Sequence, residues 1–293
     1  MIKVALVGLS GYCSGCEVAL IDLGQEILTK VNIVYSTLVA DYEEIPSNID
    51  LSLVSGAVRT EHDIEVLKEI REKSSKVIAL GTCASFGGIP GLANLYVVID
   101  MLKEVYGEKV LPVEVPKLTR AAAPVSEYIE VDYMIPGCPP PYKLLRDTLL
   151  SIVEKNTFPK PPSKTVCDEC PLEKKDEFSS KVYRLGEIEI DPSRCLLEQG
   201  ILCMGIATVA GCKAHCPSRG APCRGCRGPP PSISDQGERL LSAIASVFSR
   251  IDPQQLLEKI PDPAGYFYRF TLPSGTIPYN IKVLRRVKHE DRD

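Results

Sequence analysis

The distribution of cysteine constrains this chain more than any other feature. Twelve of its 293 residues are cysteine, and eight of them lie between Cys167 and Cys226. That stretch is rich in proline and glycine and shows little apolar periodicity, so it lacks the side chains for a core of its own. The chain opens almost directly on a strand-like segment, which leaves no room for a leader and predicts a cytoplasmic location. Disulfides are rare there, and metal ligation is the expected role of the thiols.

Composition excludes two classes of function. The formal net charge of -4 argues against nucleic acid as a partner. No apolar run reaches the 18 or more residues of a transmembrane helix, so no membrane span is expected. The apolar fraction of 44% is sufficient for a sizeable core.

Residues 1–157 alternate between strand and helix patterns. Val- and Ile-rich strands separated by helices predict a flavodoxin-like, doubly wound parallel sheet with helices on both faces. The predicted strands are 3–10, 31–39, 51–58, 76–83 and 128–138, and the predicted helices are 17–30, 61–73, 95–106 and 141–156. Residues 158–232 are expected to form an irregular, ferredoxin-like iron–sulfur domain, and 233–293 a helix at 234–249 followed by a packing tail.

Four cysteines follow predicted strands of the first domain: Cys13, Cys16, Cys83 and Cys138. Because the carboxyl ends of parallel strands form one rim, these thiols are expected to converge there. Four thiolates suit either zinc or an iron–sulfur cluster. Glycines favour the cluster, since they let backbone N–H groups approach its sulfides. These glycines are Gly11, Gly15, Gly81, Gly87, Gly88 and Gly137.

Two alternatives remain open in this domain. Cys83 and Cys138 could be small buried apolar residues instead of ligands. Glu17, directly after Cys16, is either a proton-relay carboxylate or, as we favour, a residue that interacts with the helix dipole.

The other eight cysteines divide by sequence order into two sets of four. The first set is Cys167, Cys170, Cys195 and Cys203, and the second is Cys212, Cys216, Cys223 and Cys226. The block "CKAHCPSRGAPCRGC" resembles a ferredoxin loop, in which ligands can be exchanged between clusters. Paired C-x2-C elements are also zinc-ribbon spacing, so zinc stays an alternative. His215 lies inside the block but is expected not to be a ligand, and His62 and His289 are expected at the surface.

Three motifs in combination, "CSGCE", "GTCASFGGIPG" and "PGCPPPY", resemble the small, electron-transferring subunit of nickel–iron hydrogenases over roughly residues 1–230. Many members have histidine where this chain has Cys167, and some have three cysteines for a three-iron middle cluster where four are available here. All-cysteine ligation and the missing leader resemble the cytoplasmic archaeal branch. Within it the nearest likeness is to the gamma subunit of the methyl-viologen-reducing (non-deazaflavin-reducing) hydrogenases of methanogens, with deazaflavin-reducing hydrogenases and sulfhydrogenases as near relatives.

The resemblance implies three 4Fe–4S clusters. They are a proximal cluster on Cys13, Cys16, Cys83 and Cys138, a medial cluster on Cys212, Cys216, Cys223 and Cys226, and a distal cluster on Cys167, Cys170, Cys195 and Cys203. It further implies that a separate large subunit splits dihydrogen at a nickel–iron centre, so this chain has no catalytic residue. The implied acceptor is heterodisulfide reductase, reached through an iron–sulfur adaptor subunit.

Two alternative hypotheses assign this chain a different function. A zinc-stabilised scaffold subunit would have no redox role. A quinone-linked subunit of a complex I type enzyme would carry one cluster only, and the eight cysteines after residue 160 count against it.

Overall fold

A computed structural model describes residues 1–39, 44–107, 115–248 and 251–276, with Pro253 described by its backbone alone. The described residues form two compact units, residues 1–159 with 270–274, and residues 160–269 with 275–276. The basic end of the chain and His289 lie outside the described residues.

The first unit contains a parallel sheet of five strands. Strand β1 is Ile2–Gly8, β2 is Val31–Ser36, β3 is Leu51–Ser55, β5 is Val77–Leu80 and β7 is Tyr133–Ile135. The strands lie in the order β2-β1-β3-β5-β7, and each neighbouring pair is parallel. This is the flavodoxin-like order, with its switch point between β1 and β3, and it confirms the predicted fold class.

Helices surround the sheet. They are α1 Gly15–Ile21, α2 Gln25–Leu28, α3 Glu61–Lys73, α4 Gly81–Phe86, α5 Val98–Tyr106 and α6 Tyr142–Lys155. Alternate side chains of β1 point to opposite faces, as a strand requires. Val4 and Leu6 belong to one buried cluster with residues of α1 and α6, whereas Ala5 and Val7 belong to a second with residues of α3. The sheet is therefore covered on both faces.

Several predicted boundaries were wrong for local reasons. The predicted helix 17–30 is two helices, because Gly24 has a φ of 55° and interrupts the first. The predicted strand 51–58 ends at Ser55, since Gly56 turns the chain with a φ of 89°. The predicted helix 95–106 begins at Val98 and follows a 3-10 segment, Ile89–Leu95.

A second, two-stranded sheet escaped prediction. Strand β4, Val58–Thr60, pairs antiparallel with β6, Leu118–Ala123. Strand β4 has only three residues, and β6, with the sequence LTRAAA, has one β-branched residue, so neither gives a pattern long enough to identify a strand.

The second unit has little regular structure before residue 232. Its elements there are 3-10 turns at Val166–Asp168, Met204–Ala207 and Pro217–Arg219. Three helices follow, α7 Gln236–Val247, α8 Pro253–Lys259 and α9 Pro263–Phe267. In the described part of the chain, we find no helix with the length and hydrophobicity to span a bilayer.

Candidate metal centre

The four cysteines of the first unit lie at one edge of its sheet. Cys13 and Cys16 come after β1, Cys83 lies in α4 directly after β5, and Cys138 follows β7. The sulfur of Cys16 packs against Gly81, two residues before Cys83. Burial is the main cause that raises the pKa of Cys16, followed by the charge of Glu17 and then by charges on Cys83, Cys138 and Cys13. The predicted convergence at the carboxyl ends of the strands is therefore what the structure shows.

Two turns of the edge are joined by a pair of hydrogen bonds. The backbone N–H of Thr82 donates to the carbonyl of Gly137 at 2.9 Å, and the N–H of Gly137 donates to the Thr82 hydroxyl at 2.8 Å. Thr82 precedes Cys83 and Gly137 precedes Cys138, so these bonds hold the two cysteines beside each other.

Two of the thiols pack against glycine residues, where no side chain takes up space. Gly81 and Gly88 both have left-handed φ values, 82° and 57°. A Cβ at Gly81 would overlap the sulfur of Cys16, and one at Gly88 would overlap the sulfur of Cys83. A side chain at either position would occupy the space of a thiol.

The electrostatic environment of these four cysteines favours binding of a positively charged group. Burial, followed by the charge of Glu17 and then by charges on the other cysteines, raises the pKa of Cys16 above its usual range. Burial together with charges on Cys138 and Cys13 raises the pKa of Cys83 to about 11. Ionisation of Cys16 and Cys83 is unfavourable in this environment, and a cationic group among the thiols would favour it. An iron–sulfur core ligated by four thiolates supplies such a group, because ligation requires the deprotonated form.

Glu17 lies buried beside this set. Its side chain is 2% exposed, and one carboxylate oxygen accepts a hydrogen bond from the Ser55 hydroxyl. The other oxygen has no hydrogen-bond partner among the described residues. An interaction with the dipole of the seven-residue helix α1 does not require the Glu17 carboxylate to be buried this deeply.

Sequence reasoning missed Asp63, which holds the loop that leads to Cys13. Its carboxylate accepts from the N–H and hydroxyl of Ser10 at 2.9 and 2.8 Å. It also accepts from the N–H groups of Arg59 and Thr60, both at 2.8 Å. The signal was present in "TEHD", a capping box at the start of α3. What only the structure reveals is that the same carboxylate reaches Ser10.

In the second unit, the first predicted set lines one cavity. Cys167, Cys170, Cys195 and Cys203 all border a cavity of about 180 Å³. A Cβ at Gly205 would lie 3.1 Å from the sulfur of Cys167 and 3.7 Å from that of Cys203. Mainly because of burial, the pKa of Cys167 is raised to about 11 and that of Cys203 to about 12.

The second predicted set is less closed. Burial raises the pKa of Cys223 most, and a charge on Cys203, which belongs to the first set, raises it more than a charge on Cys226 does. The Cys223 N–H also donates to the Cys203 sulfur at 3.2 Å. Cys212 contacts Glu169, and Cys216 is exposed.

Two charged side chains hold the turn that carries Cys212. The Glu169 carboxylate accepts from the N–H groups of Gly211, Cys212 and Ala214. On the other side, the buried guanidinium of Arg227 donates to the carbonyls of Val209, at 3.2 Å, and Ala210. Sequence reasoning singled out neither residue.

The described histidines lie outside these sets. His215 is exposed, with its Nδ1 3.0 Å from an Arg219 nitrogen, and His62 is exposed near Glu65. None of the twelve cysteines, all of which lie in the described ranges, forms a disulfide bond. Within the described ranges, no three Cys, His, Asp or Glu side chains are grouped closely enough to hold a single metal ion.

Comparison with known proteins places the first unit in a broad redox class. Residues 13–152 match the family model described as "NADH ubiquinone oxidoreductase, 20 Kd subunit". The solved [NiFeSe] hydrogenase from Desulfovibrio vulgaris Hildenborough is similar over 78% of this chain and 93% of its own, with a TM-score of 0.55. At 19% identity, that similarity shows the fold alone.

Two curated relatives match nearly the whole chain. One is a subunit of the vhu F420-non-reducing hydrogenase of Methanocaldococcus jannaschii, 44% identical over 291 residues that cover 96% of this chain and 98% of the relative. The other is the iron-sulfur subunit of the F420-non-reducing hydrogenase of Archaeoglobus profundus, 32% identical over 307 aligned positions, with 92% and 96% covered. The chain is therefore a hydrogenase small subunit. It belongs to the family formed by these electron-transfer subunits of the F420-non-reducing hydrogenases.

Proposed function

We propose that this chain is the electron-transfer subunit of a cytoplasmic nickel–iron hydrogenase and holds three 4Fe–4S clusters. The ligand sets are proximal Cys13, Cys16, Cys83 and Cys138; medial Cys212, Cys216, Cys223 and Cys226; and distal Cys167, Cys170, Cys195 and Cys203. When bound, such clusters supply one-electron carriers between the dihydrogen chemistry of a large subunit and an acceptor.

The observation that carries this proposal is the convergence of four mutually interacting thiols at one edge of the sheet. Each lies in the segment that follows a parallel strand, Cys16 and Cys83 at the start of helices, and glycine backbone lies behind those two thiols. The printed name of the Archaeoglobus relative, an iron-sulfur subunit, supports the same cofactor.

The chain's own contribution is ligation, burial and orientation. Burial is the main cause that raises the pKa values of Cys16, Cys203 and Cys223, of which Cys223 is buried and the other two are half-buried. Lower solvent access shifts the potential of a thiolate-bound cluster. Hydrogen bonds from backbone N–H groups to the sulfurs adjust it further, as from Cys223 to Cys203.

Exposed apolar side chains on the first unit are evidence that a partner subunit binds there. The structure describes every residue of α5, and none of them is buried. Val105 is 71% exposed, and Tyr96, Val97, Ile99 and Tyr106 are exposed near it in the sequence. Apolar surface of this kind marks protein interfaces. Since Cys13 and Cys138 are also exposed, we propose that the nickel–iron large subunit covers this unit, including the sheet edge.

The most specific part of the proposal is the identity of the electron acceptor. The curated relatives are named for hydrogenases that do not reduce F420, which favours heterodisulfide reductase, reached through an iron–sulfur adaptor, over a deazaflavin. Anaerobic co-purification distinguishes these acceptors, because a flavin-containing reductase should accompany the complex in the first case. A deazaflavin-binding subunit would instead identify a deazaflavin-reducing enzyme.

The decisive experiment counts metal in the hydrogenase complex purified without oxygen. We expect a brown protein with about four irons per cluster, about twelve in this chain, and an equal amount of acid-labile sulfide. A colourless chain that holds zinc would contradict the proposal and support a scaffold subunit.

A ligand variant tests the proximal set. Cys83→Ala should abolish hydrogen-dependent dye reduction and remove about four irons, while the nickel of the large subunit is retained. The matched control is Ser85→Ala, which removes a hydroxyl from the same helix and should keep the irons. Normal dye reduction by the Cys83 variant would exclude Cys83 as a ligand on the electron path.

A further inference from the structure

Glu169 stands out among the charged groups of the second unit because the proposed ligands do not account for it. It lies next to Cys170 in sequence, yet its side chain reaches the turn that carries Cys212. One carboxylate oxygen lies 3.5 Å from the sulfur of Cys212. We propose that Glu169 lowers the reduction potential of the cluster on the Cys212 set, an inference that rests on the proposed function.

The first argument concerns backbone donors. The N–H groups of Gly211, Cys212 and Ala214 all donate to Glu169, at distances of 2.9 to 3.2 Å. In the turns of iron–sulfur proteins such groups are the natural donors to cluster sulfurs, and those hydrogen bonds raise the potential. Here the carboxylate accepts these hydrogen bonds itself.

The second argument concerns charge. Reduction adds one negative charge to a cluster, and a carboxylate close to a ligand sulfur opposes that addition. Glu169 is half-buried, so solvent screens it less than an exposed side chain. Loss of hydrogen bonds and the added charge act in the same direction, toward a lower potential.

The turn is shaped to present these donors. Lys213 and Ala214 both have left-handed φ values, 53° and 48°. Non-glycine residues adopt this conformation at a cost, and successive N–H groups in such turns form a concave anion site. The anion in this site is the chain's own Glu169.

Asp168 offers a matched control one residue away. Its carboxylate accepts from the N–H and hydroxyl of Thr165 at 2.7 and 2.8 Å, and it is exposed. Asp168→Asn therefore makes the same chemical change, carboxylate to carboxamide, without altering the Cys212 turn.

The experiment is an EPR-monitored redox titration of the anaerobically purified hydrogenase complex. The signal of the Cys212 set is assigned by its loss in Cys226→Ala. Glu169→Gln retains an oxygen that can accept from the three N–H groups but removes the charge. We expect it to favour the reduced form of this cluster about tenfold, about 59 mV for one electron. Asp168→Asn should leave the potential unchanged.

The outcomes separate the inference from the function. If Glu169→Gln contains all its irons and its potential equals that of the wild type, Glu169 only holds the turn and the inference is overturned. If Glu169→Gln fails to assemble, Glu169→Asp, which withdraws the charge by one methylene, should shift the potential in the same direction by less. No shift or a fall in that variant overturns the inference. An iron-free wild-type complex would instead refute the proposed function.

Discussion

The two units stabilise their cysteine turns by different means. In the sheet unit, β1, β3 and β5 pair along their backbones, and apolar side chains cover both faces. In residues 160–232, all of which the structure describes, the longest regular element is the four-residue turn Met204–Ala207. Backbone groups there must find hydrogen-bond partners in other ways.

Buried charged side chains supply many of these partners. Glu198 is 3% exposed and accepts from the N–H groups of Lys175 and Asp176 at 2.9 to 3.1 Å. Glu169 and Arg227 hold the two sides of the Cys212 turn in the same way. The first unit has an apolar core formed by its sheet and helices. The second unit also buries apolar side chains, among them Leu196, Ile201 and Met204, so the prediction that this stretch lacks a core was wrong. What distinguishes the second unit is that side-chain-to-backbone bonds take the place of strand pairing.

Removal of iron should produce the largest difference between the two units, measured as the loss of amide protection. On treatment of the anaerobic full-length protein with a chelator, we expect amides between Cys167 and Cys226 to lose most of their protection, because the two clusters that we propose there would cross-link the loops. Amides of β1 and β3 should keep theirs. Hydrogen exchange with mass spectrometry measures both, and equal loss in the two units would break the comparison.

A cavity in the sheet core should be the next largest effect. Leu6 is 1% exposed in the centre of β1, so Leu6→Ala should lower the free energy of unfolding of the first unit by about 2–5 kcal/mol. Chemical denaturation of the full chain checks this value. Leu257→Ala, at a side chain that is 61% exposed, should change stability by less than about 0.5 kcal/mol.

Loss of a buried acceptor should have a smaller but more local effect. Glu198→Ala leaves the N–H groups of Lys175 and Asp176 without their acceptor, at a cost of about 1–3 kcal/mol. Glu198→Gln keeps an acceptor and should cost less. Denaturation followed in the second unit by hydrogen exchange distinguishes them, and equal stability of the Ala and wild-type proteins would show that these bonds contribute nothing.

The sheet was predictable because its patterns are local. Short apolar runs gave β1, β3 and β5, and the rule that parallel strands end at one edge gave the location of Cys13, Cys16 and Cys83. Element ends were less predictable. Gly24 and Gly56 interrupt patterns that otherwise continue, and only their backbone angles reveal it.

The second unit shows the reverse balance. Its irregularity followed from proline, glycine and the absence of apolar periodicity, and one set of four cysteines does line a single cavity. The grouping of the remaining four stays a prediction, since ligand exchange between sets is decided by contacts across long loops.

The sequence by itself determined the class of fold and the edge of the sheet at which the first thiols lie, because these depend on residue type, spacing and strand direction. The thiolate donor set stays a prediction from the same patterns. Only the tertiary structure decided which charged groups reach those sites. Asp63 meets Ser10 from 53 positions away and Glu169 meets Cys212 from 43. Contacts at such separations depend on how the intervening chain folds, which no local pattern encodes.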